Sequence, residues 1–184
     1  MKKLLAALLA MMMLTVCFSA LAEETPAADE NAQPIEETIL NFDITMDQIP
    51  EGYSMTKVYD ESVAYVVFTP DEEEGAIYTV GISPDESAEG MVLPDELTED
   101  EQAAIIEAWC VDWNAPTLRM MQTSHGTNVV CLEDNDADGD LCDLVSCYNG
   151  YIIMCDIWMN GEISDEDVAR GLQILSDMWI VDAQ

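Results

Sequence analysis

Basic residues are nearly absent from this sequence. Its 184 residues include five Lys and Arg and one His, against 38 Asp and Glu. Two of the five are at positions 2 and 3, so Lys57, Arg119 and Arg170 are the only cations of the rest of the chain. Proteins that hold nucleic acid or an anionic membrane surface do so largely through clustered Lys and Arg. Three basic residues cannot form such a patch, and nucleic acid is therefore excluded as a predicted partner.

Long apolar runs are missing after residue 22, and a transmembrane helix needs about 20 consecutive apolar residues. No transmembrane span is therefore predicted. The apolar run at 4–16 is too short to be one, but two lysines precede it and the small residues Ala20 and Ala22 follow it. This is the pattern of a bacterial export signal. We expect residues 1–22 to be a signal peptide cleaved after Ala22, and the protein to be secreted or held in the cell envelope.

Lipid attachment at Cys17 is the alternative to simple cleavage. The residues before it, Leu14 to Val16, resemble a lipobox. However, Val16 stands where that motif has Gly, Ala or Ser. The sequence therefore favours cleavage without a lipid anchor.

Residues 23–38 are rich in Glu, Ala and Pro and contain almost nothing apolar to bury. This composition is typical of a disordered linker. Residues 39–184 have the length of one ordinary domain, which buries on the order of 70% of the surface that its unfolded chain exposes. We predict a single domain over 39–184, and a monomer, because like charges keep such a protein soluble and apart from its copies.

Two helices are predicted from their first residues. Thr98 and Glu101 form a capping box, and the apolar residues after it recur at helical spacing, which predicts a helix over 99–113. Ser164, followed by three acidic residues, is the start pattern of a second helix, whose apolar stripe runs over 168–179. Both stripes contain tryptophans. Such stripes are typical of a core, and the alternative is that the tryptophans line a ligand pocket.

The rest of the domain is predicted as strands joined by turns. β-branched and aromatic runs on either side of an acidic turn predict a hairpin over 63–82, and Asn149 with Gly150 is the strongest two-residue hairpin signal. The order of strands, helix, strands and helix predicts an α+β fold, with an antiparallel sheet packed by helices. The predicted strands are 42–46, 53–59, 63–69, 76–82, 127–133, 141–148 and 151–159.

The two-residue turn also sets a register. Counting outward from it places Asp143 opposite Asp156, two like charges that destabilise a sheet unless water or a cation lies between them. We expect this pair on an exposed face, with a cation site as the alternative.

Five cysteines follow the predicted leader, so at least one is unpaired within the chain. They are Cys110, Cys131, Cys142, Cys147 and Cys155. None has the spacing of a C-x-x-C motif or a structural zinc site. The hairpin register puts Cys142 and Cys155 diagonally on one face, and Cys147 on the other. A disulfide between Cys142 and Cys155 is one reading, and buried free thiols are the other.

The start of the domain resembles Mog1/PsbP-like domains, which open with a strand, a Pro-x-Gly-aromatic turn and a long hairpin. The matching residues are Phe42, Ile44, Met46, Ile49, Pro50, Glu51, Gly52 and Tyr53. The order of elements and the apolar tail at 179–181 are similar to that family as well. Over 39–182 the resemblance implies an α/β/α sandwich in a secreted bacterial member. It also implies a binding or assembly role, and no site residue carries over from it.

One stretch has metal-ligand spacing. Carboxylates alternate around a glycine at Asp134, Asp136, Asp138, Gly139 and Asp140. Calcium takes six to eight oxygen ligands, and a tight acidic loop can supply several. The twelfth position is Val145, where an EF-hand has a bidentate Glu, and the flanks are predicted strands. The pattern therefore argues against an EF-hand and leaves two readings: an acidic turn without a metal, which the acidity of the whole chain favours, and a hairpin-borne calcium site, whose ligands would be Asp134, Asp136, Asp138 and Asp140.

Catalytic patterns are scarce. His125 is the single histidine, and its neighbour Ser124 is not its partner by adjacency alone, because triads are assembled in space. We interpret His125 as a turn residue before a strand. No phosphate-binding glycine loop occurs, so no catalytic residue and no cofactor other than Ca²⁺ is predicted.

We therefore predict a secreted or cell-envelope binding or assembly module without catalytic activity. Its ligand is an unknown protein or small molecule, and the acidity of the chain favours a cationic one. Two alternatives remain open: a hydrolase with a pair of acids, and a calcium-dependent adhesion or sensing module that uses the loop at 134–140.

Overall fold

The computed structural model describes residues 42–182, except for 61–62, 73, 112 and 135–140. The predicted leader, Cys17 and the predicted linker lie outside the described residues. So do Asp136, Asp138 and Asp140 of the predicted calcium loop.

Nine strands, two α-helices and a short 3-10 helix make up the described part of the chain. The strands are β1 (Phe42–Met46), β2 (Tyr53–Asp60), β3 (Val63–Pro70), β4 (Ile77–Pro84), β5 (Thr117–Gln122), β6 (Asn128–Glu133), β7 (Leu141–Tyr148), β8 (Tyr151–Trp158) and β9 (Met178–Asp182). The helices are α1 (Glu99–Trp109) and α2 (Asp165–Asp177), and the 3-10 turn is Glu86–Ala88.

Seven strands form one antiparallel sheet in the order β2, β3, β4, β8, β7, β6, β5. Two meanders, β2 to β4 and β5 to β8, join through the pairing of β4 with β8. Asn149 and Gly150 have φ values of 48° and 81°, as the tight hairpin turn between β7 and β8 requires. The remaining two strands, β1 and β9, form a small sheet of their own.

Each face of the large sheet carries one helix. On one face, α2 and the β1–β9 sheet cover a core that includes Phe68, Leu144 and Ile157. On the other face, α1 covers a second core that includes Trp109 and Met154. Full burial of one large apolar side chain, such as Leu144 or Ile157, contributes about 1.5–3 kcal/mol to the free energy of unfolding. The predicted α+β fold, an antiparallel sheet packed by helices, is confirmed.

Both helices are shorter than predicted. The first ends at Trp109 and not at Trp113, and Ala115 follows at a φ of 50°, which a continuing helix does not allow. The second ends at Asp177. Residues 178–182, predicted in part as helix, are β9, because pairing with β1 satisfies their backbone groups. β5 was not predicted as a strand, and it forms because its backbone groups pair with those of β6.

The N-terminus of α2 depends on a reciprocal cap. The Ser164 hydroxyl accepts a hydrogen bond from the backbone N of Asp167 at 3.2 Å, and the Asp167 carboxylate accepts one from the backbone N of Ser164 at 3.0 Å. We expect Ser164→Ala to lower the free energy of unfolding by about 1 kcal/mol. Urea denaturation measures this, with Ser54→Ala on the exposed strand β2 as control. Equal stability of the two variants would contradict the prediction.

Candidate functional site

A pocket of about 320 Å³ lies where the β5–β6 turn and the β7–β8 hairpin meet the end of α2 and the start of β9. Its apolar lining consists of Tyr148, Ile153, Leu175, Met178, Trp179 and Ile180, and its polar lining of Thr123, His125, Thr127, Ser146, Asn149 and Ser176. Ligand pockets typically have volumes of about 300–1,000 Å³ and such a mixed lining. This pocket is therefore the candidate site.

The β5–β6 turn is closed by a backbone hydrogen bond and is held against α2 by a hydrogen bond from its backbone to a side-chain hydroxyl. The backbone N of Thr123 donates to the carbonyl of Thr127 at 2.9 Å, which closes the turn. Gly126 within it has a φ of 79°, a conformation that favours glycine. The backbone N of Ser124 donates to Ser176 Oγ on α2 at 3.0 Å. These contacts place His125 at the rim of the pocket, in the turn where it was predicted.

Trp179 forms the opposite rim. Its indole Nε1 donates to Asp47 Oδ2 at 3.0 Å, and its ring lies 5.4 Å from the His125 ring, centroid to centroid. The side chain is 42% exposed. The prediction that the helical tryptophans belong to the core holds for Trp109, which is buried, and is wrong for Trp179. The reason is that α2 ends before Trp179, so this residue lies on β9.

The pocket lining combines aromatic faces with hydroxyl, amide and imidazole groups. No carboxylate and no thiol occurs among the described residues that line it. The hydroxyl of Ser146 donates to the carbonyl of Asn128 at 3.0 Å, and that of Ser176 donates to the carbonyl of Leu172 at 2.8 Å. Since both serine protons are directed at backbone carbonyls, neither serine is set up as a nucleophile for His125. The lining can stack against a ring and exchange hydrogen bonds with it.

A larger open groove, of about 710 Å³, lies at the other end of the sheet beside the β3–β4 turn. Asp71, Glu72 and Glu74 line it together with Trp158, which is 51% exposed. Carboxylates beside an aromatic face suit a cation. The expectation of a cationic ligand stays a prediction, and this groove is where it applies.

Asp143 on β7 and Asp156 on β8 lie opposite each other, as the turn register predicted. The expectation that they lie on an exposed face is wrong for Asp143, which is only 2% exposed. The reason is that α1 covers it, and Trp109 Nε1 donates to Asp143 Oδ2 at 2.8 Å. Loss of solvent raises the pKa of Asp143 to about 6. Loss of solvent and the neighbouring Asp143 raise the pKa of Asp156 well above its usual range.

Asp143 and Asp156 are a pair of carboxyl groups, as in many hydrolase centres, but no space for a substrate lies between them. Glycosidases place two carboxyl groups on either side of a substrate bond, with room for the sugar between them. Here the two side chains hydrogen-bond each other, and the Trp109 indole covers one of them. A proton shared between two close carboxyl groups relieves their repulsion. The arrangement therefore serves the packing of α1 on the sheet.

All five described cysteines are free and buried. Of the two readings that the sequence left open, the structure therefore has free thiols and not a Cys142–Cys155 disulfide. Instead, the sulfurs of Cys131 and Cys142 lie 3.7 Å apart, and a Glu133 oxygen lies within 4.8 Å of both. Hydrogen bonding from Cys142 and from Arg119 lowers the pKa of the Cys131 thiol. Sequence reasoning missed this cluster, because only the pairing of β6 with β7 brings the two cysteines together.

The first residue of the predicted calcium loop, Asp134, follows β6 directly. Its backbone N donates to the carbonyl of Leu141 at 3.1 Å, and its carboxylate accepts a hydrogen bond from the backbone N of Asn114 at 3.1 Å. The loop thus connects two strands, as predicted. Calcium binding by this loop stays a prediction.

The three cations of the domain are dispersed over three elements, and each forms an ion pair. Lys57 on β2 lies 3.1 Å from Asp43, Arg119 on β5 lies 2.8 Å from Glu133, and Arg170 on α2 lies 3.3 Å from Glu166. Arg170 also lies over the ring of Tyr53. The described surface therefore offers no basic patch to a phosphate backbone.

No protein-family model, no curated protein and no solved structure matches this chain. The resemblance to Mog1/PsbP-like domains accordingly stays a prediction. Neither α1 nor α2, the α-helices of the described part of the chain, has the length and apolar character needed to cross a membrane.

Proposed function

We propose that this protein is a secreted or cell-envelope binding module that holds a small uncharged ligand in the pocket between His125 and Trp179. The observation that carries the proposal is the pocket itself, a concave site with aromatic rims and polar groups between them. The export pattern of residues 1–22 supports the location. We also propose that the fold is an α/β/α sandwich of the Mog1/PsbP-like kind, because one helix packs on each face of the large sheet.

The lining indicates the chemistry of the ligand. Trp179 and Tyr148 are 42% and 48% exposed and offer flat apolar faces. His125, Thr127 and Asn149 offer hydrogen-bonding groups beside those faces. Because none of the described lining residues is an acid, Lys or Arg, the lining favours an uncharged ligand. A sugar or a flat heterocycle satisfies all of these conditions.

A pair of tryptophan variants tests the proposal. Neutral disaccharides and uncharged purine and indole derivatives are screened by thermal shift against the wild-type protein, Trp179→Ala and Trp158→Ala. A ligand that binds only the folded state adds about 2.7 kcal/mol at 100 times its Kd. Because loss of a central aromatic contact costs about 2 kcal/mol or more, we expect Trp179→Ala to weaken binding by at least about tenfold.

Trp158 is the matched control, since it is similarly exposed but lies in the acidic groove at the other end of the sheet. Trp158→Ala should bind as the wild type does. If binding were lost in Trp158→Ala and kept in Trp179→Ala, the groove would be the site and the proposal would be wrong. A screen in which no compound shifts the wild-type transition would also count against it.

A further inference from the structure

We propose that Cys131, Glu133 and Cys142 bind one divalent metal ion of the zinc type, with a fourth position open to water or to an external ligand. The three side chains project from the paired strands β6 and β7. Their ligand atoms lie within 4.8 Å of one another. Two thiolates and a carboxylate are a donor set that zinc accepts in proteins.

The separation of the sulfurs fits a shared metal. A zinc–sulfur bond is about 2.3 Å long, so two such bonds at the tetrahedral angle place their sulfurs about 3.8 Å apart. The sulfurs of Cys131 and Cys142 are 3.7 Å apart. The two thiols can therefore take hold of an ion without a rearrangement of their strands.

A disulfide fits the same pair less well. Cys131 lies opposite Leu144 and Cys142 lies opposite Glu133, so the two cysteines are diagonal and not direct neighbours. Diagonal neighbours have Cα atoms about 7–8 Å apart, whereas disulfides rarely span more than about 7 Å. A bridging ion accommodates this offset, whereas a direct sulfur–sulfur bond would require the two sulfurs to move from 3.7 Å to about 2 Å apart.

The charges around the cluster are balanced for a metal. Two thiolates and a carboxylate carry three negative charges, of which a divalent ion neutralises two. Arg119 supplies the remaining positive charge, because it lies opposite Cys131 across β5 and β6, and its Nη2 donates to Glu133 Oε1 at 2.8 Å. Such outer contacts orient a ligand and tune a metal site.

The exposure of the three side chains indicates the entry path. Cys131 and Cys142 are buried, with 0% and 1% of their surface exposed. The Glu133 side chain is 29% exposed. An ion would therefore enter past Glu133, and the open coordination position would face solvent. Sites with three protein ligands and an open position exchange water or bind a further ligand.

Cobalt is the probe that tests this inference, because cobalt bound to thiolates absorbs in the near ultraviolet and cobalt bound to carboxylates alone does not. The reduced full chain is titrated with Co²⁺ under anaerobic conditions, and Zn²⁺ is then added. We expect saturation at one ion per chain, and loss of the band when Zn²⁺ displaces the cobalt. Cobalt bound to the acidic loop at 134–140 would not give this band.

Two substitutions and a control complete the test. Cys142→Ser should abolish the thiolate band or weaken binding by at least about 100-fold, and Glu133→Gln should weaken it by about tenfold or more while leaving the buried strands unchanged. Cys147→Ser is the control, since Cys147 lies on β7 in the core of the opposite face, and it should bind as the wild type does. The inference fails if the wild type gives no band, if Cys142→Ser binds equally well, or if the native protein contains a Cys131–Cys142 disulfide.

Discussion

Asp156→Asn is expected to stabilise the protein at neutral pH by more than about 1 kcal/mol, the free energy of one pKa unit, and to weaken the dependence of its stability on pH. In the wild type, burial raises the pKa of Asp143 to about 6 and that of Asp156 well above its usual range. An asparagine at 156 can donate a hydrogen bond to the Asp143 carboxylate without taking up a proton. The substitution therefore removes one of the two titrating groups and the repulsion between them.

The direction of the pH effect follows from linkage. A carboxyl group whose pKa is raised by folding binds protons more tightly in the folded state. Its contribution to stability is fully present below its unfolded pKa of 3.8 and is lost as the pH rises through about 6. The difference between a pKa of 3.8 and one of about 6 corresponds to about 3 kcal/mol, and the raised pKa of Asp156 acts in the same direction. The wild type should therefore lose at least about 2 kcal/mol between pH 4 and pH 7.

Urea unfolding at a series of pH values measures both effects. Every acid in the chain contributes some repulsion at high pH, so Asp71→Asn in the exposed β3–β4 turn serves as the control for the loss of one charge. The control should follow the slope of the wild type. If Asp156→Asn were less stable than the wild type at pH 8, or had the same slope, the pair would not carry the raised pKa values.

Local sequence patterns predicted most of the fold. Alternating apolar residues and turn signals located seven of the nine described strands, and the two-residue turn set the register of β7 against β8. β5 and β9 escaped prediction. The six residues of β5 include Leu and two Met, which are good helix formers, and β9 continues the apolar stripe of α2. Both become strands through pairing with distant partners, which local propensity does not contain.

The candidate sites could not be predicted, because each is assembled from residues far apart in the chain. The pocket combines two turns with the junction of α2 and β9. The register correctly paired Asp143 with Asp156, but their environment depends on Trp109, which is 34 residues from Asp143 along the chain. The cluster of Cys131, Glu133 and Cys142 likewise requires the register of β6 against β7. In the sequence, the acidic residues between these strands indicated a calcium loop and not a thiol site.

Gly171→Leu is expected to lower the free energy of unfolding by about 3 kcal/mol. Gly171 is buried on the face of α2 that packs on the sheet. A Cβ atom there would lie 2.8 Å from Leu144 Cδ1 and 2.9 Å from Ile157 Cδ1, closer than carbon atoms approach without strain. A leucine would push α2 away from the sheet. The displacement would also disturb Leu175 and Ser176, which line the candidate pocket.

Two further substitutions separate overpacking from helix propensity. Gly171→Ala adds a single methyl group against the ends of flexible side chains, and the gain of about 1 kcal/mol in helix propensity offsets the strain, so we expect a small net change. Ala169→Leu places the same leucine on the exposed side of α2 and should change stability by no more than about 0.5 kcal/mol. If Gly171→Leu were as stable as Ala169→Leu in urea, α2 would not be seated closely on β7 and β8. The pocket that depends on the position of α2 would then lose its structural basis.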